Sequence, residues 1–122
     1  MTITKTCYFV GNVKRAISAM PAEVKQGFGF AFYLAQRGLE AEGVKALKGF
    51  GGRGVLEVIE NHDGDTYRAV CTVRFSTGIY VLHAFQKKSK SGIATPKHEM
   101  DLVAARLRDA EILHRHHMKE GT

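Results

Sequence analysis

Two hydrophobic periods organise the chain. Residues 66–75 alternate, with Tyr67, Ala69, Cys71, Val73 and Phe75 on one face and Arg68, Val70, Thr72 and Arg74 on the other. That period of two is the signature of a β-strand. Residues 55–60 and 79–85 are apolar runs of strand length on either side of it. Residues 5–10, rich in Thr, Cys, Tyr, Phe and Val, predict a further strand. Elsewhere the period is helical. Val13, Ile17 and Met20 share one face of a short helix, and Val24, Phe28, Ala31 and Ala35 share one face of a second. Met100, Val103, Leu107 and Ala110 do the same near the C-terminus.

The punctuation fits these elements. Pro21 suits the first turn of the second helix and Gly38 its C-terminal stop. Asp63-Gly64 is a hairpin signal, and Ser76-Thr77-Gly78 turns the chain again, so the strands it joins are antiparallel neighbours. Thr95-Pro96 predicts a helix start, with Thr as N-cap and Pro at the first helical position. The glycine-rich stretch 49–54, GFGGRG, lacks the Walker pattern and runs into a strand, so it reads as a connector. The order is β-α-α-β-β-β-α: an α+β domain with an N-terminal strand, a helical hairpin, an antiparallel sheet and a closing helix. The aromatics around residues 28–34 read as core packing, with a partner-binding face as the alternative.

Length and composition narrow the class. The 122 residues suit one domain, 1–122, whose last stretch, 112–122, reads as a frayed tail. The 44% hydrophobic content exceeds that of a disordered basic segment, and no apolar run approaches membrane-spanning length. Two cysteines make no disulfide framework. A cytoplasmic location is the expectation. The net charge of +6 is spread evenly over the two halves, but residues 66–98 hold six basic side chains and no acid. That window is a local positive field.

Candidate chemistry concentrates there. Arg68 and Arg74, six residues apart on one alternating strand, project from the same face, opposite the apolar set and therefore towards solvent. The loop Lys87-Lys88-Ser89-Lys90 follows the next strand. Converging guanidinium and ammonium groups suit phosphate binding or phosphoryl transfer, whereas scattered ones are solubility charges. His83 shares by parity a face with Ile79, Val81 and Phe85, which fits either a hydrogen-bonded core histidine or an acid–base group. Lys45 and Lys48 precede the glycine-rich stretch and are within reach of the sheet. His114, His116 and His117 belong to the tail, and no metal motif or nucleophile elbow occurs, so no metal or cofactor is expected.

Leu47-Lys48-Gly49, Leu56-Glu57-Val58, Tyr67-Arg68-Ala69-Val70, Leu82-His83-Ala84-Phe85, Lys87-Lys88-Ser89 and Thr95-Pro96 followed by Glu99 occur in this order. A helical hairpin ending in Gln36-Arg37-Gly38 precedes them. Together they resemble the phage-derived host-inhibition family of the RelE/HigB-like type II toxin superfamily, over roughly residues 5–110. The resemblance implies a RelE-like fold and a toxin that cleaves mRNA, commonly on translating ribosomes. There the 2′-OH attacks the adjacent phosphate without a metal, leaving a 2′,3′-cyclic phosphate and a 5′-OH. It implies mRNA and the ribosome as partners, together with a cognate helix-turn-helix antitoxin in a hetero-oligomer. Position by position it makes Arg68 the phosphate-stabilising arginine and Lys87 and Lys88 site lysines. His83 becomes a catalytic or structural histidine, and Lys48 the basic position before the sheet. Beside them Arg74 and Lys90, from the acid-free window, are expected to bind RNA together with Lys48. The long closing helix stands where some relatives have short Tyr or His segments, which leaves the general acid unassigned. The competing expectation is a non-catalytic basic module of phage origin that binds RNA or the ribosome, or inhibits a host protein.

Overall fold

The structure, a computed structural model, describes residues 4–51, 54–87 and 95–121. Five strands, β1 (Thr6–Phe9), β2 (Lys45–Ala46), β3 (Val55–His62), β4 (Asp65–Thr72) and β5 (Gly78–Lys87), form one sheet in the order β1-β5-β4-β3-β2. Neighbours are antiparallel except β1, which pairs parallel with β5. The helical hairpin of α1 (Val13–Ser18) and α2 (Ala22–Gln36) covers one face, and α3 (Lys97–Glu120) covers the other. No helix among the described residues is long and apolar enough to cross a membrane. The α+β expectation holds, with β2 as a strand that hydrophobic periodicity does not reveal in two exposed residues.

Each face has its own core. Val24, Phe28, Phe32, Val58, Ala69, Cys71, Ile79 and Val81 pack beneath the hairpin, while Phe30 and Tyr33 of the same helix remain exposed. Val70, Tyr80, Leu82, Val103 and Ala110 pack beneath α3. The central strand β5 therefore has apolar residues on both sides, which explains why its sequence reads as an unbroken run rather than an alternation. The β3–β4 hairpin turns through Asp63 (φ 48°) and Gly64 (φ 82°). Both central residues thus have the positive φ of a type I′ turn, whose twist matches that of the strands it joins.

A bulge in β5 changes what the alternation predicts. Val70 pairs with His83 but Cys71 pairs with Val81, so Leu82 is an extra residue. Parity inverts across it. Ile79 and Val81 face the hairpin; beyond the bulge Ala84 does so, while His83, opposite Val70, and Phe85, opposite Arg68, face α3. His83 therefore does not share a face with Ile79 and Val81, contrary to a strict period of two. Arg106 of α3 holds the bulge: its Nη1 donates to the Leu82 carbonyl at 3.1 Å and to His83 Nδ1 at 3.3 Å, and its Nη2 donates to Asn12 Oδ1 at 2.7 Å.

The C-terminal stretch expected to fray continues α3 to Glu120, and two of its histidines are docked on the sheet. His117 stacks on Tyr8 at 4.2 Å and His114 on Phe75 at 4.7 Å. Three hydrogen bonds link His117 Nδ1 to Tyr80 Oη (2.7 Å), Tyr80 Oη to Thr77 Oγ1 (2.6 Å) and Thr77 Oγ1 to His114 Nδ1 (2.9 Å). The two hydroxyls supply only two of the three protons, so one imidazole must carry a proton on Nδ1 and all three bonds then run in one direction. Burial raises the Tyr80 phenol above its ordinary 10.0, which keeps this central donor protonated. Tyr80→Phe removes the middle of the chain and leaves Thr77 and His117 each short of a partner. Urea unfolding is expected to show a loss of about 1–3 kcal/mol. Hydrogen exchange should accelerate most at the C-terminal end of α3.

Candidate functional site

A cleft of about 280 Å³ opens between β2 and the start of α3, lined by Lys45, Lys48, Glu57, Arg68, Thr95 and the apolar trio Ala46, Leu47 and Met100. Register builds it. Lys45 pairs with Glu57, and Glu57 with Val70. Directly opposed residues in antiparallel strands project on the same side. The Val70 side faces α3, so Glu57 and Arg68 point into the layer beneath α3, not into solvent as alternation alone suggests. Arg68 is 6% exposed and Glu57 2%.

The buried pair is tightly bonded. Arg68 Nη1 donates to Glu57 Oε2 at 3.0 Å, and the Thr95 hydroxyl donates to the same oxygen at 3.0 Å. Thr95 thus spends its proton on the site rather than on a helix end; Pro96 (φ −58°, ψ 150°) takes the N-cap position instead. Arg68 Nε is buried with no hydrogen-bond partner among the described residues. An unpaired buried guanidinium N–H beside an open cleft is a donor suited to an anionic ligand.

Three of the described lysines, Lys45, Lys48 and Lys87, lie near this pair. Lys45 and Lys48 are exposed at the rim. Lys87 at the end of β5 is 8% exposed and pairs across the ladder with Thr66, two residues beyond the Arg68–Phe85 pair and on the same side of the sheet. Burial, then the positive charges of Arg68 and Lys45, hold the Lys87 ammonium below the ordinary lysine value of 10.5, opposed by the Glu57 carboxylate. Among the described residues, Lys45, Lys48, Arg68 and Glu57 line the cleft, and Lys87 lies near enough to feel their charges. A dianionic phosphate would relieve the repulsion among the cations, and a depressed lysine pKa makes that side chain a better proton donor at neutral pH.

The other sequence candidates lie elsewhere or outside the described residues. Lys88 and Lys90 fall in the latter group. Arg74 lies beyond β4, which ends at Thr72, whose hydroxyl donates to the Gly54 carbonyl at 2.6 Å; the Val73 N–H bonds the same carbonyl at 2.9 Å, and Arg74 does not line the cleft. Arg74 is exposed, donates to the Phe50 carbonyl, and lies so close to Gly54 that a β-carbon there would meet its Cγ at 2.6 Å. His83 does not line the cleft. Because Arg106 can only donate, His83 Nδ1 accepts, so the ring proton sits on Nε2 and goes to Glu99 Oε1 at 2.9 Å. Both ring nitrogens are committed to docking α3, and the structural alternative fits His83. Burial pushes the thiols of Cys7 and Cys71 up to about 11 and about 12, which suits packing rather than nucleophilic chemistry.

Glu57, Thr95 and Met100 line the cleft although pattern reading gives them no site role, and Lys45 is read from the sequence only as a cation within reach of the sheet. For Glu57 a signal exists: it is an acid inside the apolar run Val55-Leu56-Glu57-Val58-Ile59. A carboxylate buried in a strand needs a cationic partner.

Residues 15–108 match a family model described as Phage derived protein Gp49-like (DUF891). No curated protein matches the chain.

Proposed function

The chain belongs to the phage-derived Gp49-like family (DUF891), and from that premise and the cationic cleft we propose that it is a toxin endoribonuclease of the RelE/HigB-like type, cutting mRNA by internal 2′-OH attack. The α+β architecture is compatible with a RelE-like fold. The observation that carries the reading is the convergence of the buried Arg68–Glu57 pair with Lys45 and Lys48 at one cleft, with Lys87 close enough to interact electrostatically with Arg68, Glu57 and Lys45.

The chemistry divides among these groups. Glu57, the one carboxylate among the described residues of the lining, takes the proton from the 2′-OH as its oxygen attacks phosphorus. Arg68 stabilises the charge that builds on the non-bridging oxygens. Lys87 gives its proton to the departing 5′-oxygen, so one proton is taken and one returned. The P–O5′ bond breaks, leaving a 2′,3′-cyclic phosphate and a 5′-OH. Lys45 and Lys48 hold flanking phosphates at the rim. Translating ribosomes present the substrate, and a small helix-turn-helix antitoxin is the proposed neutralising partner.

Purified protein incubated with ribosomes and a translated message is expected to give discrete breaks with cyclic-phosphate ends. Lys45→Ala and Lys48→Ala alter exposed residues and spare the fold. Each is expected to weaken RNA binding across all sequences and to lower the slope of log affinity against log salt by about one. Wild-type protein that binds ribosomes with a steep salt dependence and makes no breaks would be the non-catalytic RNA-binding module instead.

A further inference from the structure

The cleft offers more than a phosphate uses. Phosphate is polar on every side, yet Ala46, Leu47 and Met100 give the cleft an apolar wall beside its cations. Leu47 is fixed by the bond from its N–H to the Val55 carbonyl at 2.9 Å and is 7% exposed. Met100 stands in the first turn of α3 and packs in the same core cluster as Leu47. Its terminal methyl lies against the loop backbone at Gly49, 3.4 Å from where a β-carbon would stand. Apolar surface facing a cleft gains free energy when a ligand covers it, roughly in proportion to the area covered. A thioether also makes favourable contacts with aromatic rings. The volume of about 280 Å³ sits at the lower end of small-molecule sites, room for one nucleotide rather than a run of them.

Resting on the reading of this cleft as a phosphate site, we propose that it is a nucleotide subsite in which the base next to the bound phosphate packs on Met100 and Leu47, and that Met100 sets a preference for purines over pyrimidines. The rim lysines and Arg68 supply the complementary charge for the phosphate. The wall supplies contact area, and two fused rings cover more of it than one. The polar groups nearest the wall do not reverse the order, because the Thr95 hydroxyl proton and the Glu57 Oε2 acceptor are already engaged with each other.

The test is equilibrium binding by titration calorimetry or chemical-shift perturbation, with inorganic phosphate, uridine 3′-monophosphate and adenosine 3′-monophosphate as probes. Wild-type affinity is expected to rise in that order, with the adenosine nucleotide about tenfold tighter than phosphate. Met100→Ala should bring the adenosine nucleotide down to the affinity of phosphate while leaving phosphate binding unchanged. Met100→Leu, which keeps the apolar volume and guards against a folding defect, should retain most of the preference. Equal wild-type affinities for phosphate and both nucleotides overturn the base subsite and leave the phosphate site standing. A pyrimidine preference, or a Met100→Ala change that weakens phosphate as much as nucleotide, also overturns it. Failure of phosphate and nucleotides alike to bind wild-type protein removes the phosphate site itself, and the subsite with it.

Discussion

Replacing Arg68 with alanine is expected to lower the unfolding free energy by about 3–5 kcal/mol and to reduce cleavage by at least about a hundredfold. Both effects have one origin. Arg68 and Glu57 are 7% and 2% exposed at the side chain and 3.0 Å apart, so removing the guanidinium strands a carboxylate in a space that water hardly reaches. Thr95 still donates to it, but a hydroxyl does not neutralise the charge. The stability loss alone would abolish activity in a marginal protein, so a second variant separates the two effects. Replacing both partners with apolar residues of similar size, Arg68→Met with Glu57→Leu, removes the stranded charge and should restore most of the stability. Cleavage should stay lost. Urea titrations of both proteins beside the ribosome assay decide the matter: a double variant that still cuts RNA would falsify the assignment of this pair to the chemistry.

Arg106→Ala should cost about 2–4 kcal/mol, from the loss of charge-assisted bonds to partly buried acceptors. Its guanidinium joins three parts of the fold: the Leu82 carbonyl at the bulge, His83 beside it, and Asn12 at the turn before α1. It also lies over Gly11, whose φ is 60° and where a β-carbon would approach Arg106 Nε at 3.1 Å. Without it the Leu82 carbonyl loses a donor and His83 keeps only Glu99. Because the bulge sets which way Phe85 and Lys87 face, the loss should also reduce cleavage, although Arg106 does not line the cleft. Thermal melts with Arg106→Lys as comparison check the argument: one ammonium cannot span the acceptors that the fork reaches, so lysine should recover only part of the stability. Full recovery by lysine would mean that charge alone, rather than the clamp, holds the bulge.

Much of the fold was legible before any coordinates. The order of the helices and of every strand except β2, the Asp63-Gly64 turn, and the apolar face of α3 through Val103 and Ala110 all follow from local periodicity and turn chemistry. Arg68 and Lys87 were legible as members of an acid-free stretch. Glu57 was half legible, as an acid stranded in an apolar run whose partner no local pattern could name. Lys45 was legible only as a cation within reach of the sheet; its place opposite Glu57 was not, because β2 is two exposed residues long and is a strand only through its pairing with β3. Arg74 shows the opposite limit. The alternation continues through it, but β4 ends at Thr72, and Arg74 donates to the Phe50 carbonyl rather than lining the cleft.

What the sequence by itself determined is the α+β class, the order of its elements other than β2, and the side chains that could meet a phosphate. These depend on interactions over a few residues: periodicity, turn geometry and the sign of nearby charges. Tertiary structure alone decided which of those side chains meet. One extra residue at Leu82 inverts the facing of every later position on β5. The pairing of β2 with β3 places Lys45 opposite Glu57, and α3 covers the arginine face that alternation would leave in water. Each of these rests on contacts between residues far apart in the chain, where a shift of one position reverses a side chain's direction without changing the local pattern that a sequence displays.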